Sequence, residues 1–200
     1  LSFEQMKELL RLAHQFKTYI LSDEAFIHFA DDEKSVISLC AEFENLLIFR
    51  SLTKIFAVPG IRLGYVIADE SIIEAFSKLQ IPWSVNTVAL SLIDSLEQCS
   101  PFIQETVAFI KQEKQWLSHA FQSLDMEMSK TCTNFYLLRD RKLSDQERLL
   151  LYLAKKGILA RHTYNFPFIE GNALRFAIRS RKENERLVQS LKEWRTTTHG

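Results

Sequence analysis

Residues 49–65, Phe-Arg-Ser-Leu-Thr-Lys-Ile-Phe-Ala-Val-Pro-Gly-Ile-Arg-Leu-Gly-Tyr, decide how the rest of the chain is read. The apolar run Asn45–Phe49 leads into them with the length and composition of a strand. Ser51, Thr53 and Lys54 follow at its end, Val58-Pro59-Gly60 breaks the chain, and Ile61–Ala68 restarts it as a second apolar run. Arg62 comes eight residues after the lysine. A lysine at a strand end, with hydroxyls beside it and an arginine beyond, has the chemistry to hold a phosphate-bearing aldehyde cofactor. The amine can form a Schiff base, and the hydroxyls and guanidinium can take the phosphate. The plainer alternative is a surface lysine and arginine around a Pro-Gly turn, and Ser-x-x-Lys alone is too short to choose between them.

The longer string Ser51–Tyr65 resembles the lysine segment of the fold-type I pyridoxal-phosphate enzymes. It is most similar to the branch that holds histidinol-phosphate aminotransferases and threonine-phosphate decarboxylases. The resemblance implies Lys54 as the Schiff-base lysine, Ser51 and Arg62 as ligands of the cofactor phosphate, and Thr53 as an assisting hydroxyl. Upstream, Tyr19–Phe26 (YILSDEAF) resembles the family's strand ending in Asp-Glu-Ala-(Tyr/Phe), 31 residues before the lysine when measured from Asp23. There the aspartate faces the pyridine nitrogen and keeps the ring protonated. By itself, Asp23-Glu24 after an apolar strand reads as a helix cap or turn. Phe26 replaces the tyrosine that hydrogen-bonds the cofactor's ring oxygen in the aminotransferases, a departure compatible with the decarboxylases.

The bulk numbers bound this reading. Two hundred residues suffice for one large domain or two small ones, and 25 basic residues balance 25 acidic ones. Zero formal charge argues against a nucleic-acid or polybasic membrane role, and no apolar run approaches the ~20 residues of a membrane span. The opening, LSFEQMKELL, lacks the basic start and continuous apolar core of a signal peptide. Cys40, Cys99 and Cys132 have no metal-ligand spacing and read as buried thiols of a cytoplasmic protein; the five histidines do not cluster, so no metal site is expected.

Along the chain, Ser2 and Gln5 form a capping box ahead of an amphipathic helix over 3–17. Strands are expected at 19–22 and 46–50, both buried and parallel, with a third at 62–68 and a helix near 33–43. Asp23 and Lys54 both fall just past strand ends, where open α/β sheets place their ligands. Helices follow at 70–79, 86–98 and 101–123, with a break at Ile81–Asn86 and a hinge at Ser100-Pro101. Pro82–Asn86 is similar to the decarboxylases, and Trp83 reads as either a substrate wall or packing. The remainder alternates: strand 132–138, helix 144–156 with a Ser144/Glu147 capping box and a Gly157 cap, strands 158–161 and 173–179, helix 181–195.

In the resembled family about half of the enzyme precedes the first helix of this chain. The resemblance therefore implies an α/β fold: 1–100 as the C-terminal portion of the large cofactor-binding domain, and 101–200 as the small α+β domain. Ala173–Asn184 resembles the segment whose first arginine clamps the substrate carboxylate, which implies that role for Arg175. On a period-two strand Arg179 shares its face, although Arg179 and Arg181 read equally well as solvated charges at a helix start. Gly157–His162 resembles the segment that meets the substrate phosphate, which implies Arg161, with His162 as a weaker neighbour. A phosphomonoester carries between one and two negative charges, so more than one cation is expected.

The implied function is pyridoxal-phosphate-dependent decarboxylation of O-phospho-L-threonine to aminopropanol phosphate, a step towards cobalamin, by a cytoplasmic homodimer acting on a small phosphorylated substrate. Histidinol-phosphate transamination is the alternative, because the bond held perpendicular to the cofactor ring decides which group leaves. From another class, a chain without the preceding half can be a folded interaction module with a vestigial site, and is expected to bind the cofactor weakly or not at all and to be inactive by itself.

Overall fold

The computed structural model describes residues 1–30 and 34–197. The chain folds as two compact units, Leu1–Val107 and Ala108–Gly200.

In the first unit, helix α1 (Phe3–Gln15) begins at the expected capping box: Ser2 Oγ accepts from the Gln5 amide at 3.2 Å, and Gln5 Oε1 accepts from the Ser2 amide at 2.8 Å. It ends two residues earlier than the periodicity suggests, because Lys17 adopts a left-handed φ of 50° and turns the chain. Strand β1 (Ile20–Asp23) pairs in parallel with β2 (Leu46–Ser51), in the register Asp23↔Phe49. One turn of helix, α2 (Leu52–Ile55), follows, and β3 (Gly64–Ile67) returns antiparallel to β2. A parallel return needs a crossover long enough to carry the chain back along the sheet. One helical turn and the Pro59-Gly60 bend are too short for that, so the chain re-enters from the end it left.

One face of this β1-β2-β3 sheet is covered. Leu10 of α1, Leu39, Leu46 and Ile48 are fully buried together, with Met6, Ile20 and Ile67 packed around them. At ~2 kcal/mol for each large apolar side chain buried, this cluster is the main term holding α1 to the sheet. Asn45 adds a polar tie, its Nδ2 donating to the Leu10 and Thr18 carbonyls at 3.2 and 3.1 Å. The helix expected near 33–43 is a short 3-10 segment, Ile37–Ala41; its expected first residue, 33, lies outside the described residues. Val36 and Ile37 are β-branched, and the Val36 amide is drawn to Glu24 Oε1 at 2.8 Å, which competes with an α-helical start. Helices α3 (Glu70–Leu79), α4 (Thr87–Glu97) and α5 (Ser100–Gln122) follow, and the division between the units falls inside α5.

The second unit is a four-stranded antiparallel sheet in the order β4-β5-β7-β6, formed by β4 (Met126–Met128), β5 (Phe135–Asp140), β6 (Arg161–His162) and β7 (Leu174–Ala177). Helices α6 (Glu147–Lys155) and α7 (Arg181–Thr197) complete it. Strand β4 has no counterpart among the expected strands because three residues carry no usable alternation, and the strand expected at 158–161 is only the pair Arg161–His162. The aromatic core of this unit tilts Phe121 against Tyr136 and stacks Tyr136 on Phe176, with centroids 5.7 and 5.8 Å apart. Burial pushes the Tyr136 phenol far above its usual range.

Helix α6 does not use the expected Ser144 cap. Asp145 Oδ1 accepts from the Glu147 amide at 2.7 Å, and Gln146 is buried with Oε1 on the Asp140 amide at 2.8 Å, so the helix starts three residues later. Gly157 does close it, with a φ of 70° that an L side chain adopts only under strain. Cys40 and Cys99 are half-buried and Cys132 is exposed, so the three thiols are less buried than composition suggested.

Candidate functional site

The first unit brings the expected cofactor residues to one end of its sheet. Parallel pairing carries β1 and β2 in the same direction, so Asp23 and Ser51 both arrive at carboxyl ends. Alternation along each strand then puts Asp23, Phe49 and Ser51 on the face opposite the core residues Leu46 and Ile48. Just beyond, Ser51 Oγ and Thr53 Oγ1 lie 2.8 Å apart, the threonine buried and the serine half-buried. Lys54, in the single turn α2, is exposed, and its Nζ lies 5.7 Å from the centroid of the Phe26 ring, three residues past Asp23. Among the described residues Lys54 has no carboxylate partner.

Arg62 closes the segment in a left-handed conformation, φ 57° and ψ 48°, with Nη1 donating to the Pro59 carbonyl at 3.2 Å. Ala57 is also left-handed. Two non-glycine residues held this way within the segment store strain, which concentrates at functional turns. One Asp23 oxygen is used locally, accepting from the Ala25 amide at 2.9 Å, which leaves the other for a ligand. Hydroxyls, an amine and a guanidinium at one strand end, with a carboxylate at the next, form a donor set suited to a phosphorylated aldehyde bearing a basic ring nitrogen.

Three residues that sequence reasoning passed over support this end of the sheet. Glu24 is buried at 5% exposure, and Arg50 donates to its Oε2 from Nε and Nη2 at 3.1 and 2.9 Å. Burial disfavours the Arg50 charge, but hydrogen bonds to Tyr65 and Glu24 outweigh it and raise its pKa. The available signal was a charged residue interrupting an apolar strand directly before Ser51. Gly64 is the other omission: a Cβ there would lie 2.7 Å from the Arg50 carbonyl oxygen, so only glycine lets β3 approach β2 at Ser51.

In the second unit, Arg161 and Arg175 are directly paired across β6 and β7, on one sheet face with Leu137. Arg175 lies over the Phe135 ring at 5.1 Å and Arg161 over Phe166 at 5.9 Å. Arg179 does not join them. The strand ends at Ala177, not 179, and Arg179 Nε donates to Glu183 Oε1 at 3.0 Å in the first turn of α7. Arg179, with help from Ser180, holds the Glu183 carboxyl down at about 2. Arg181 is also occupied, on the buried Glu113 at 2.7 Å and over Trp116 at 4.5 Å, fastening α7 to α5. The Arg181 hydrogen bond holds the Glu113 carboxyl below its usual range. His162 pairs with Leu174 in the ladder and its ring lies 5.5 Å from that of Tyr164. Trp83 is 97% exposed, so it is not a packing residue within its unit. The described residues contain no cluster of metal-ligating side chains, and no described helix is long and apolar enough to cross a membrane.

Comparison with known proteins gives a consistent picture. The family model for aminotransferase class I and II matches residues 1–191. A protein of Caldanaerobacter subterraneus provisionally named threonine-phosphate decarboxylase is 31% identical over 94% of this chain and 52% of its own length. A histidinol-phosphate aminotransferase of Chlorobium phaeobacteroides is 30% identical over 93% of this chain and 51% of its own length. Among solved structures, the histidinol-phosphate aminotransferase of Clostridium acetobutylicum superposes with a TM-score of 0.90 at 30% identity, covering 97% of this chain and 59% of that one. The chain spans about half the length of the curated relatives it matches.

Proposed function

The chain belongs to the aminotransferase class I and II family, whose members depend on pyridoxal phosphate, and we propose that it carries the lysine-bearing part of a decarboxylase of O-phospho-L-threonine. The observation behind this reading is the parallel pairing of β1 with β2, which delivers Asp23 and the Ser51–Lys54 segment to one sheet end. In this reading residues 1–100 belong to the cofactor-binding domain and 101–200 to the small domain.

The residues present fit the cofactor. Lys54 would hold it through the ε-amine, Ser51, Thr53 and Arg62 would take its phosphate, and the free oxygen of Asp23 would keep a proton on its ring nitrogen. When bound, pyridoxal phosphate supplies an electron sink for charge developing at the substrate α-carbon. Lys54, once exchanged for the substrate amine, would be the base or acid at that carbon. Arg175 would clamp the substrate carboxylate with its planar fork, and Arg161 would take the substrate phosphate. Arg179 is a weaker candidate for the same anion, since a substrate would have to displace Glu183 from it. Phe26 favours the decarboxylase, because it offers no hydroxyl at the position from which aminotransferases reach the cofactor.

Histidinol-phosphate transamination is the second reading, favoured by the likeness to the Clostridium acetobutylicum structure. Carbon dioxide released from phosphothreonine without consumption of a keto acid supports the first reading. Glutamate formed from histidinol phosphate and 2-oxoglutarate supports the second. Cofactor attachment is tested apart from turnover, by reducing the protein with borohydride in the presence of pyridoxal phosphate and mapping the modified peptide. Weak labelling confined to Lys54, and absent in Lys54→Ala, is expected; labelling spread over other lysines would sink both readings.

A further inference from the structure

The buried charges behind the site have no role in the chemistry just described. Arg50 is the residue before Ser51, and Glu24 the residue after Asp23. Pairing of Asp23 with Phe49 brings Glu24 and Arg50 side by side on the core face, while Asp23 and Ser51 point the other way. The Glu24 amide donates to the Phe49 carbonyl at 2.9 Å, extending the ladder one residue past the strand. Three groups converge on the Glu24 carboxylate: the Arg50 fork, Ser35 Oγ at 3.0 Å and the Val36 amide at 2.8 Å. Arg50 Nη2 also donates to Ser35 Oγ at 2.8 Å, closing the network.

Such a network adds little to stability over packed apolar side chains, because desolvation of the charges offsets most of their attraction. Its distinctive property is that only one register satisfies it. A slip of β1 against β2 by one residue would leave Glu24 facing away from Arg50 and turn Asp23 into the core.

We propose that the Glu24–Arg50 pair is a positioning device, locking the strand ends in the one register that presents Asp23 and Ser51 together on the face opposite the pair. The assignment to a cofactor site rests on the functional reading above; the locking itself does not.

The test compares Glu24→Gln and Glu24→Leu with the double variant Glu24→Leu/Arg50→Met, which replaces the pair by apolar side chains. Hydrogen exchange is followed by residue, and labelling of Lys54 by pyridoxal phosphate and borohydride is followed in parallel. In the double variant the thermal midpoint is expected to stay near that of the parent. Exchange at residues 23–26 and 51–56 should rise at least tenfold while Leu46–Ile48 stay protected, and Lys54 labelling should fall at least tenfold. Glu24→Gln, which keeps the shape and loses the charge, should fall between the parent and Glu24→Leu on both measures. Unchanged exchange at the two strand ends in the double variant would overturn the proposal. So would a rise spread evenly over the whole unit, the signature of a purely structural pair. If exchange responds as expected but the parent protein is never labelled at Lys54, the locking stands and the cofactor reading fails.

Discussion

Arg161 stands directly opposite Arg175 across the β6–β7 ladder, and among the described residues neither guanidinium meets a carboxylate. Like charges at facing positions cost a few tenths of a kcal/mol up to about 1 kcal/mol, so a fold indifferent to anions gains nothing from the pair. Arg161→Gln and Arg175→Gln are each expected to keep or slightly raise the thermal midpoint while weakening binding of phosphothreonine, which carries both a phosphate and a carboxylate, roughly tenfold, the value of one charge-assisted hydrogen bond. Calorimetric titration beside a thermal melt reads both signs. A fall in the midpoint with unchanged binding would make the pair structural.

Arg179 should behave in the opposite way. Its fork is held by Glu183 at the start of α7. Arg179→Gln is expected to leave phosphomonoester affinity within about twofold, a difference too small for a lost charged contact. The same variant should lower the melting midpoint and return the Glu183 carboxyl from about 2 towards its ordinary range. Carbon-detected NMR titration of Glu183 measures that return.

Gly64 and Gly60 provide a matched pair. Gly64→Ala would push a Cβ against the Arg50 carbonyl at 2.7 Å, backbone against backbone, and should cost about 2 kcal/mol, as overpacking does. A Cβ on Gly60 meets nothing within 4 Å, so Gly60→Ala should be nearly neutral. Urea unfolding of both variants decides the matter, and equal effects would mean the β2–β3 contact is looser than described.

Asp140 sets part of the acid limit. It is 1% exposed and accepts from Trp194 Nε1 at 2.8 Å and Arg195 Nη1 at 2.7 Å. Burial raises its pKa, but Trp194, the Lys142 amide and Arg195 together hold it below the usual carboxylate value. A carboxyl depressed in the folded state contributes its stability above the unfolded value, ~3.9, and loses it as pH falls through the folded one. Asp140→Asn should therefore cost about 3 kcal/mol at neutral pH, because Arg195 is left without its carboxylate. The gap between variant and parent should be constant above about pH 5 and close below about pH 4. A gap that widens in acid would contradict the depressed value.

Local chemistry made the order of most elements legible from sequence, while the fold class and the significance of the segments carrying Asp23 and Lys54 were legible only through the family resemblance. An apolar run, a Pro-Gly break and a Ser2–Gln5 capping box act over a few residues, and the structure reproduces the cap atom for atom. The same locality explains the misses. Ser144 looked like a cap because its spacing to Glu147 is right, but Gln146 was drawn to the Asp140 amide and moved the start of α6. Arg179 looked like a partner for Arg175 because a strand alternates, but the strand stopped at Ala177.

What the sequence by itself determined was the kinds of groups available and where along the chain each strand delivers them. Only the tertiary structure decided which groups face one another: Glu24 with Arg50, Arg161 with Arg175, and Gly64 against the Arg50 carbonyl. Those pairings join residues far apart in the chain and depend on strand register. Register is fixed by the buried face of each sheet as a whole, through packing that no single stretch of residues contains.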